Sequence, residues 1–205
     1  MGKKHQEGFT LIELLVLMMV AAIALGIGVP AFSAMVANTR MSSAANELLS
    51  SFYAARYESS SRARTVVICA SSDWSAATAG CDMANEILDG WIVFVDRNAN
   101  GTRDAGDELL QAYGPVHDAI RRNAASGSDA EESTYLAFRP DGLAAEIAGL
   151  GPGLRNIQLC DQRGDEAIGD GVAAGRWIGI APTGRPVLYD RSERLRSDAN
   201  PLGGC

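Results

Sequence analysis

Between Phe9 and Val29 the only formally charged residue is Glu13. A carboxylate costs about 2.5 to 3.5 kcal/mol at the centre of a membrane helix, less toward an end, so its presence demands a role. The chemistry on offer is ion pairing, because a buried carboxylate is tolerated when a cation meets it. A second constellation is the stretch from Asp96 to Asp107. Side-chain oxygens on Asp96, Asn98, Asn100, Asp104 and Asp107, a glycine at 101 and the Thr102 carbonyl follow the spacing of a Ca²⁺ loop. The loop departs from that pattern in ending on Asp107 where a longer Glu usually supplies two oxygens, and Arg97 and Arg103 dilute its charge. Asp, Asn and Gly are equally the residues of a tight hairpin turn, which is the favoured reading. A structural Ca²⁺ at this loop is the one cofactor the sequence offers, and no other is expected.

Catalysis has little to stand on. His117 follows Gly114-Pro115-Val116 and reads as a loop or strand-edge residue. No Gly-x-Ser-x-Gly nucleophile motif occurs. Glu131-Glu132 and Asp165-Glu166 lie in polar stretches, where a solvated face is the ordinary explanation. No enzymatic activity is expected.

The elements that must position these residues begin with the apolar run itself. At about 21 residues it is long enough to cross a bilayer core as a helix. Lys3 and Lys4 precede it, which places the N-terminus in the cytoplasm and the remainder outside. A secretory signal peptide cut near Ala31-Phe32-Ser33 is the competing reading. The apolar core is too long for one, Glu13 interrupts it, and the apolar periodicity continues past the supposed cut. Pro30 should kink the helix. Beyond it Phe32, Met35, Val36, Ala45, Leu48, Leu49, Phe52 and Tyr53 recur at helical spacing, so one helix of roughly 84 Å is expected from Phe9 to about Arg64. Its second half must lay an apolar stripe on a sheet. From Thr65 the period changes. Thr65–Cys69 and Trp91–Val95 read as strands, with weaker candidates at 108–113, 134–138, 154–160, 177–181 and 187–189, while 149–153 and 164–175 read as glycine-rich loops. The fold class is therefore α+β, a long helix followed by an antiparallel β domain.

Composition agrees with one anchor and one exported domain: 205 residues, 47% hydrophobic, 21% charged, net charge −7. Cys69, Cys81, Cys160 and Cys205 would meet an oxidising compartment. Three pairings are formally possible. Cys69 with Cys81 and Cys160 with Cys205 is favoured because each closes a loop without crossing the other.

Gly8-Phe9-Thr10-Leu11-Ile12-Glu13-Leu14-Leu15 resembles the type IV prepilin signal. The resemblance implies cleavage after Gly8 by a prepilin peptidase, methylation of the new N-terminal Phe9, and retention of the apolar run, first as an anchor in the bacterial inner membrane and then as the core of a filament. Glu13 would meet the free amine on Phe9 of a neighbouring subunit. The later order of segments narrows the resemblance to the family joining FimT- and FimU-like minor pilins with the type II secretion pseudopilin GspH. It is carried by Ala54-Ala55-Arg56-Tyr57-Glu58, Arg64-Thr65-Val66, Gly90 to Asp96, Phe138-Arg139-Pro140-Asp141-Gly142 and Pro182-Thr183-Gly184-Arg185.

That family implies a type IV pilin-like fold in four parts: a leader over 1–8, a transmembrane and filament-core helix over 9–29, its amphipathic continuation over 30–64, and a periplasmic β-rich domain over 65–205. Its implied role is a minor pilin that helps start assembly at the pilus tip. The alternative is a pseudopilin in protein secretion, and in either case the partners are other minor and major pilins or pseudopilins, met through the N-terminal helix. Some FimT-like pilins bind DNA through a Gly-Arg-x-Arg element. Here Gly184-Arg185-Pro186 is followed by Val187, so the second Arg is missing, although Arg191, Arg194 and Arg196 lie downstream as a candidate phosphate-binding patch. The net charge and the interspersed Asp190, Glu193 and Asp198 make DNA a disfavoured partner.

Overall fold

The structure, a computed structural model, describes residues 9–122 and 134–205. The leader, with Gly8, and the Glu131-Glu132 pair lie outside the described residues. Helix α1 runs from Leu11 to Arg62 as one element. Pro30 sits inside it without ending it, and the Ser33 hydroxyl donates to the Pro30 carbonyl at 2.9 Å. The helix stops two residues short of Arg64 by a Schellman-type turn. Ala63 takes φ 50°, and the Arg64 N–H reaches back to the Ser59 carbonyl at 3.2 Å. The chain divides into two compact units, one ending at Thr39 and the other running from Arg40 to Cys205.

In the second unit every ladder is antiparallel. Sheet A contains β1 (Thr65–Ala70), β2 (Trp91–Asp96), β3 (Glu108–Tyr113), β5 (Tyr135–Phe138) and β6 (Ala144–Ala145), in the spatial order β3-β2-β1-β5-β6. Sheet B contains β4 (Arg121–Arg122), β7 (Asn156–Cys160), β8 (Ala167–Gly169), β9 (Val172–Ile180) and β10 (Pro186–Arg191), in the order β10-β9-β7-β4, with β8 also paired to β9. A single turn, α2 (Ser192–Leu195), follows β10.

The period-2 rule explains how the core is shared. In β1, Val66 and Ile68 join the cluster under α1 while Val67 and Cys69 join a second cluster on the opposite face. Trp91, Val93 and Val95 alternate in the same way with Ile92 and Phe94. The central strands of sheet A are thus buried on both sides, which is why they read as unbroken β-branched and aromatic runs. Met41, Ala44, Ala45, Leu48, Phe52 and Ala55 form the facing stripe of α1 and pack with residues of both sheets, including Ile157 and Ile178. The outer face of sheet B is closed by Ala173, Trp177, Leu195 and Leu202, with Trp177 stacked on its cross-strand neighbour Tyr189 at 4.1 Å.

Strand β8 and the first half of β9 occupy the glycine-rich stretch expected to be a loop. The connection is a two-residue hairpin turn in which Asp170 and Gly171 both have positive φ, 47° and 75°. An Asp-Gly pair is the residue choice such a type I′ turn requires.

Candidate functional site

Among the described residues, nothing packs on the apolar helix of the first unit. Phe9 is 77% exposed, and the side chains of α1 remain exposed through Met35. Apolar area on this scale requires an apolar environment, either lipid or other copies of such a helix. Its first turn is organised by Thr10. The Thr10 hydroxyl accepts the Glu13 N–H at 3.3 Å, and the Thr10 carbonyl accepts the Leu14 N–H at 3.1 Å. Thr10-x-x-Glu13 has the spacing of a capping box, a signal the sequence reading passed over, and the helix N-terminus favours a carboxylate at this depth. Among the described residues Glu13 makes no ion pair.

Loop 96–107 joins β2 to β3, and its oxygens face its own amides. Asp96 accepts the N–H groups of Asn100 and Gly101 at 3.3 and 2.7 Å, and Asp107 accepts those of Arg97 and Asp104 at 3.0 and 2.9 Å. Asp104 accepts the side-chain amides of Asn98 and Asn100, while Asn100 accepts both the N–H and the hydroxyl of Thr102. Among the described residues no group of three His, Cys, Asp or Glu side chains is arranged to hold a metal ion. The carboxylates of Asp96, Asp104 and Asp107 thus accept from the loop's own amides, as in a tight turn. Arg103 ties this loop to the neighbouring one by donating to the carbonyls of Ala79 and Ala77 at 2.7 and 3.3 Å.

The cysteines are joined as Cys69–Cys81 and Cys160–Cys205. Chain-entropy arguments give such loops about 3 and about 4 kcal/mol. The second bond holds the C-terminal tail against β7, where buried Asn200 donates to Gln158 and to the Leu195 carbonyl at 2.7 and 2.8 Å. Arg191, Arg194 and Arg196 are all exposed, and each has a contact within the domain. Arg191 donates to the Asp170 carbonyl, Arg196 donates to the Asp165 carbonyl at 2.8 Å, and Arg194 lies over the Tyr189 ring at 5.6 Å. Arg185 is exposed on the turn before β10. His117 is exposed, and its Nδ1 accepts the Ala119 N–H at 3.1 Å, a turn contact.

Three of the segments singled out in the sequence converge on one point. Arg56 of α1 donates from Nε to the Gly142 carbonyl at 3.0 Å and from Nη2 to the Thr183 carbonyl at 3.3 Å. Tyr53, one turn earlier, donates its hydroxyl to the Pro186 carbonyl at 2.8 Å. The helix therefore clamps the β5–β6 turn of sheet A and the β9–β10 turn of sheet B together.

A family model for the type II transport protein GspH matches residues 44–184, more than half of the chain, and a prokaryotic N-terminal methylation motif matches residues 3–29. The chain belongs to the GspH family. This GspH-family chain is also similar to two crystal structures of the Pseudomonas aeruginosa (strain PAO1) type IV minor pilin FimU. One is 21% identical, with a TM-score of 0.47, over 74% of this chain and 89% of that one. The other is 22% identical, with a TM-score of 0.44, over 72% and 91%. No curated protein matches. The GspH match spans the clamp, from the buried stripe of α1 to the Gly184 turn, and the methylation motif covers the exposed apolar helix. The convergence of Arg56, Gly142 and Thr183 is long-range, and only their shared membership in an ordered set of motifs marked them in the sequence.

Proposed function

We propose that this chain is a non-enzymatic minor pilin of a type IV pilus, a FimU- or FimT-like subunit that helps start assembly at the tip. The observation supporting this reading is the continuous exposed apolar surface of α1 from Leu11 to Met35, interrupted by a single carboxylate at the end where the chain would be cut. In this reading the prepilin peptidase cuts after Gly8, Phe9 is methylated, and residues 9–29 hold the chain in the inner membrane with residues 65–205 in the periplasm. Residues 30–64 continue the helix into that domain. On extraction into a filament, Glu13 pairs with the Phe9 amine of a neighbouring pilin, which offsets the cost of burying it and sets the register between subunits.

A second reading, a pseudopilin of a type II secretion system, is favoured by the description of the matching family, type II transport protein GspH. Both readings use the same helix. Deleting the gene and scoring surface pili and twitching beside secreted enzyme activity separates them: loss of pili with normal secretion supports the first, and the converse supports the second. A third reading, DNA uptake through Arg185, Arg191, Arg194 and Arg196, is disfavoured by the net charge of −7 and by the interspersed Asp190, Glu193 and Asp198.

A further inference from the structure

We propose that the cleft lined by Arg62, Arg64, Val95, Arg97 and Glu108 binds a carboxylate presented by an acidic segment of a partner protein. The cleft is an open depression of about 340 Å³ where α1 ends and β1 begins. Its charges are unbalanced in a specific way. Arg62 is already neutralised: Nε meets Glu58 Oε2 at 2.5 Å, and Nη1 meets Glu108 Oε2 at 2.7 Å. Arg64 and Arg97 are not. The β1–β2 ladder ends at Thr65 opposite Asp96, so the next position outward sets Arg64 against Arg97. Both are exposed, and among the described residues neither guanidinium has a hydrogen bond or an ion pair. Like charges placed opposite one another across a ladder destabilise it. Two guanidiniums at one mouth suit a carboxylate, which accepts from both in short charge-assisted bonds.

The class of partner follows from what surrounds the pair. Glu58 and Glu108 flank the arginines and the chain carries a net charge of −7, so a continuous polyphosphate backbone would be repelled on either side, whereas a single acidic side chain would not. The inference goes beyond the assembly reading and stands without it, since neither guanidinium belongs to the apolar helix surface.

The test uses the full chain in nonionic detergent micelles, with a rhodamine-labelled, C-terminally amidated glycine peptide carrying a single central glutamate as probe and fluorescence anisotropy at low ionic strength as readout. The expected result is saturable binding by the wild type, weakened about tenfold in Arg64→Gln/Arg97→Gln, largely kept in Arg64→Lys/Arg97→Lys, and unchanged in Arg139→Gln, whose ion pair with Asp141 lies elsewhere. Circular dichroism verifies that the variants are folded. Absence of binding to the wild type, equal binding by wild type and Arg64→Gln/Arg97→Gln, or equal binding of the same peptide with glutamine in place of its glutamate would overturn the proposal. Tighter binding of a labelled single-stranded oligothymidylate, lost in the same variant, would overturn it in favour of nucleic acid.

Discussion

Gly184 and Gly142 meet backbone to backbone: a Cβ on residue 184 would lie 2.1 Å from the Gly142 carbonyl oxygen. The same carbonyl accepts the Arg56 Nε–H, so the two turns and the helix share one contact. Gly184 also takes φ 75°, a conformation that disfavours any side chain. Gly184→Ala is therefore expected to cost about 3 kcal/mol, from backbone clash added to strain, and to lower the melting temperature of the full chain in detergent by roughly 6 to 12 °C. Gly151→Ala, at φ 76° with nothing within 4 Å, separates the two causes and should cost only about 1 kcal/mol.

The Trp91 indole N–H donates to the Ser51 hydroxyl at 3.2 Å, and both residues are fully buried. Ser51→Ala leaves that N–H without an acceptor and is expected to cost about 1 to 3 kcal/mol, measured by urea unfolding. A variant as stable as the wild type would mean that the indole finds water or another acceptor.

Much of the fold was legible in the sequence because the residues concerned carry their own signal. Val66, Ile68, Ile92 and Phe94 are β-formers in unbroken runs, and Leu48 and Phe52 keep helical spacing. What was not legible depended on partners distant in sequence. Residues 172–176 are Val-Ala-Ala-Gly-Arg, with no apolar alternation, and they form a strand because β7, β8 and β10 bracket them. Arg121 and Arg122 pair only because Cys160 and Leu159 lie opposite. At the candidate site the exposed apolar run and Glu13 were legible from charge alone. The role of Arg56 was not, since its acceptors lie 86 and 127 residues away.

Burial pushes the Asp161 carboxyl up, but side-chain and backbone hydrogen bonds from Arg163 outweigh it and hold the group below its ordinary value. A folded-state value below the unfolded one gives stability that is present above the unfolded value and lost as pH falls through the folded one. The melting temperature of the wild type should therefore exceed that of Asp161→Asn at pH 7, and the gap should close as the pH drops below about 4. A gap that persists unchanged at acid pH would assign the effect to packing instead of charge.

Glu13→Gln separates capping from pairing. Glutamine serves at the third position of a capping box as glutamate does, but it has no charge for a neighbour's amine. The pairing account expects Glu13→Gln and Glu13→Ala to reduce the amount of this subunit recovered in sheared filaments by about tenfold or more, and Glu13→Lys to abolish it. Normal recovery of Glu13→Gln would leave capping as the residue's role.

The identity of the mature N-terminus bears on everything else. Mass spectrometry of the chain isolated from membranes of cells that carry a prepilin peptidase is expected to find N-methylated Phe9 as the first residue, with the apolar helix retained. A chain that begins after Ala31-Phe32-Ser33, or one that still carries Met1 to Gly8 in such cells, would contradict the account.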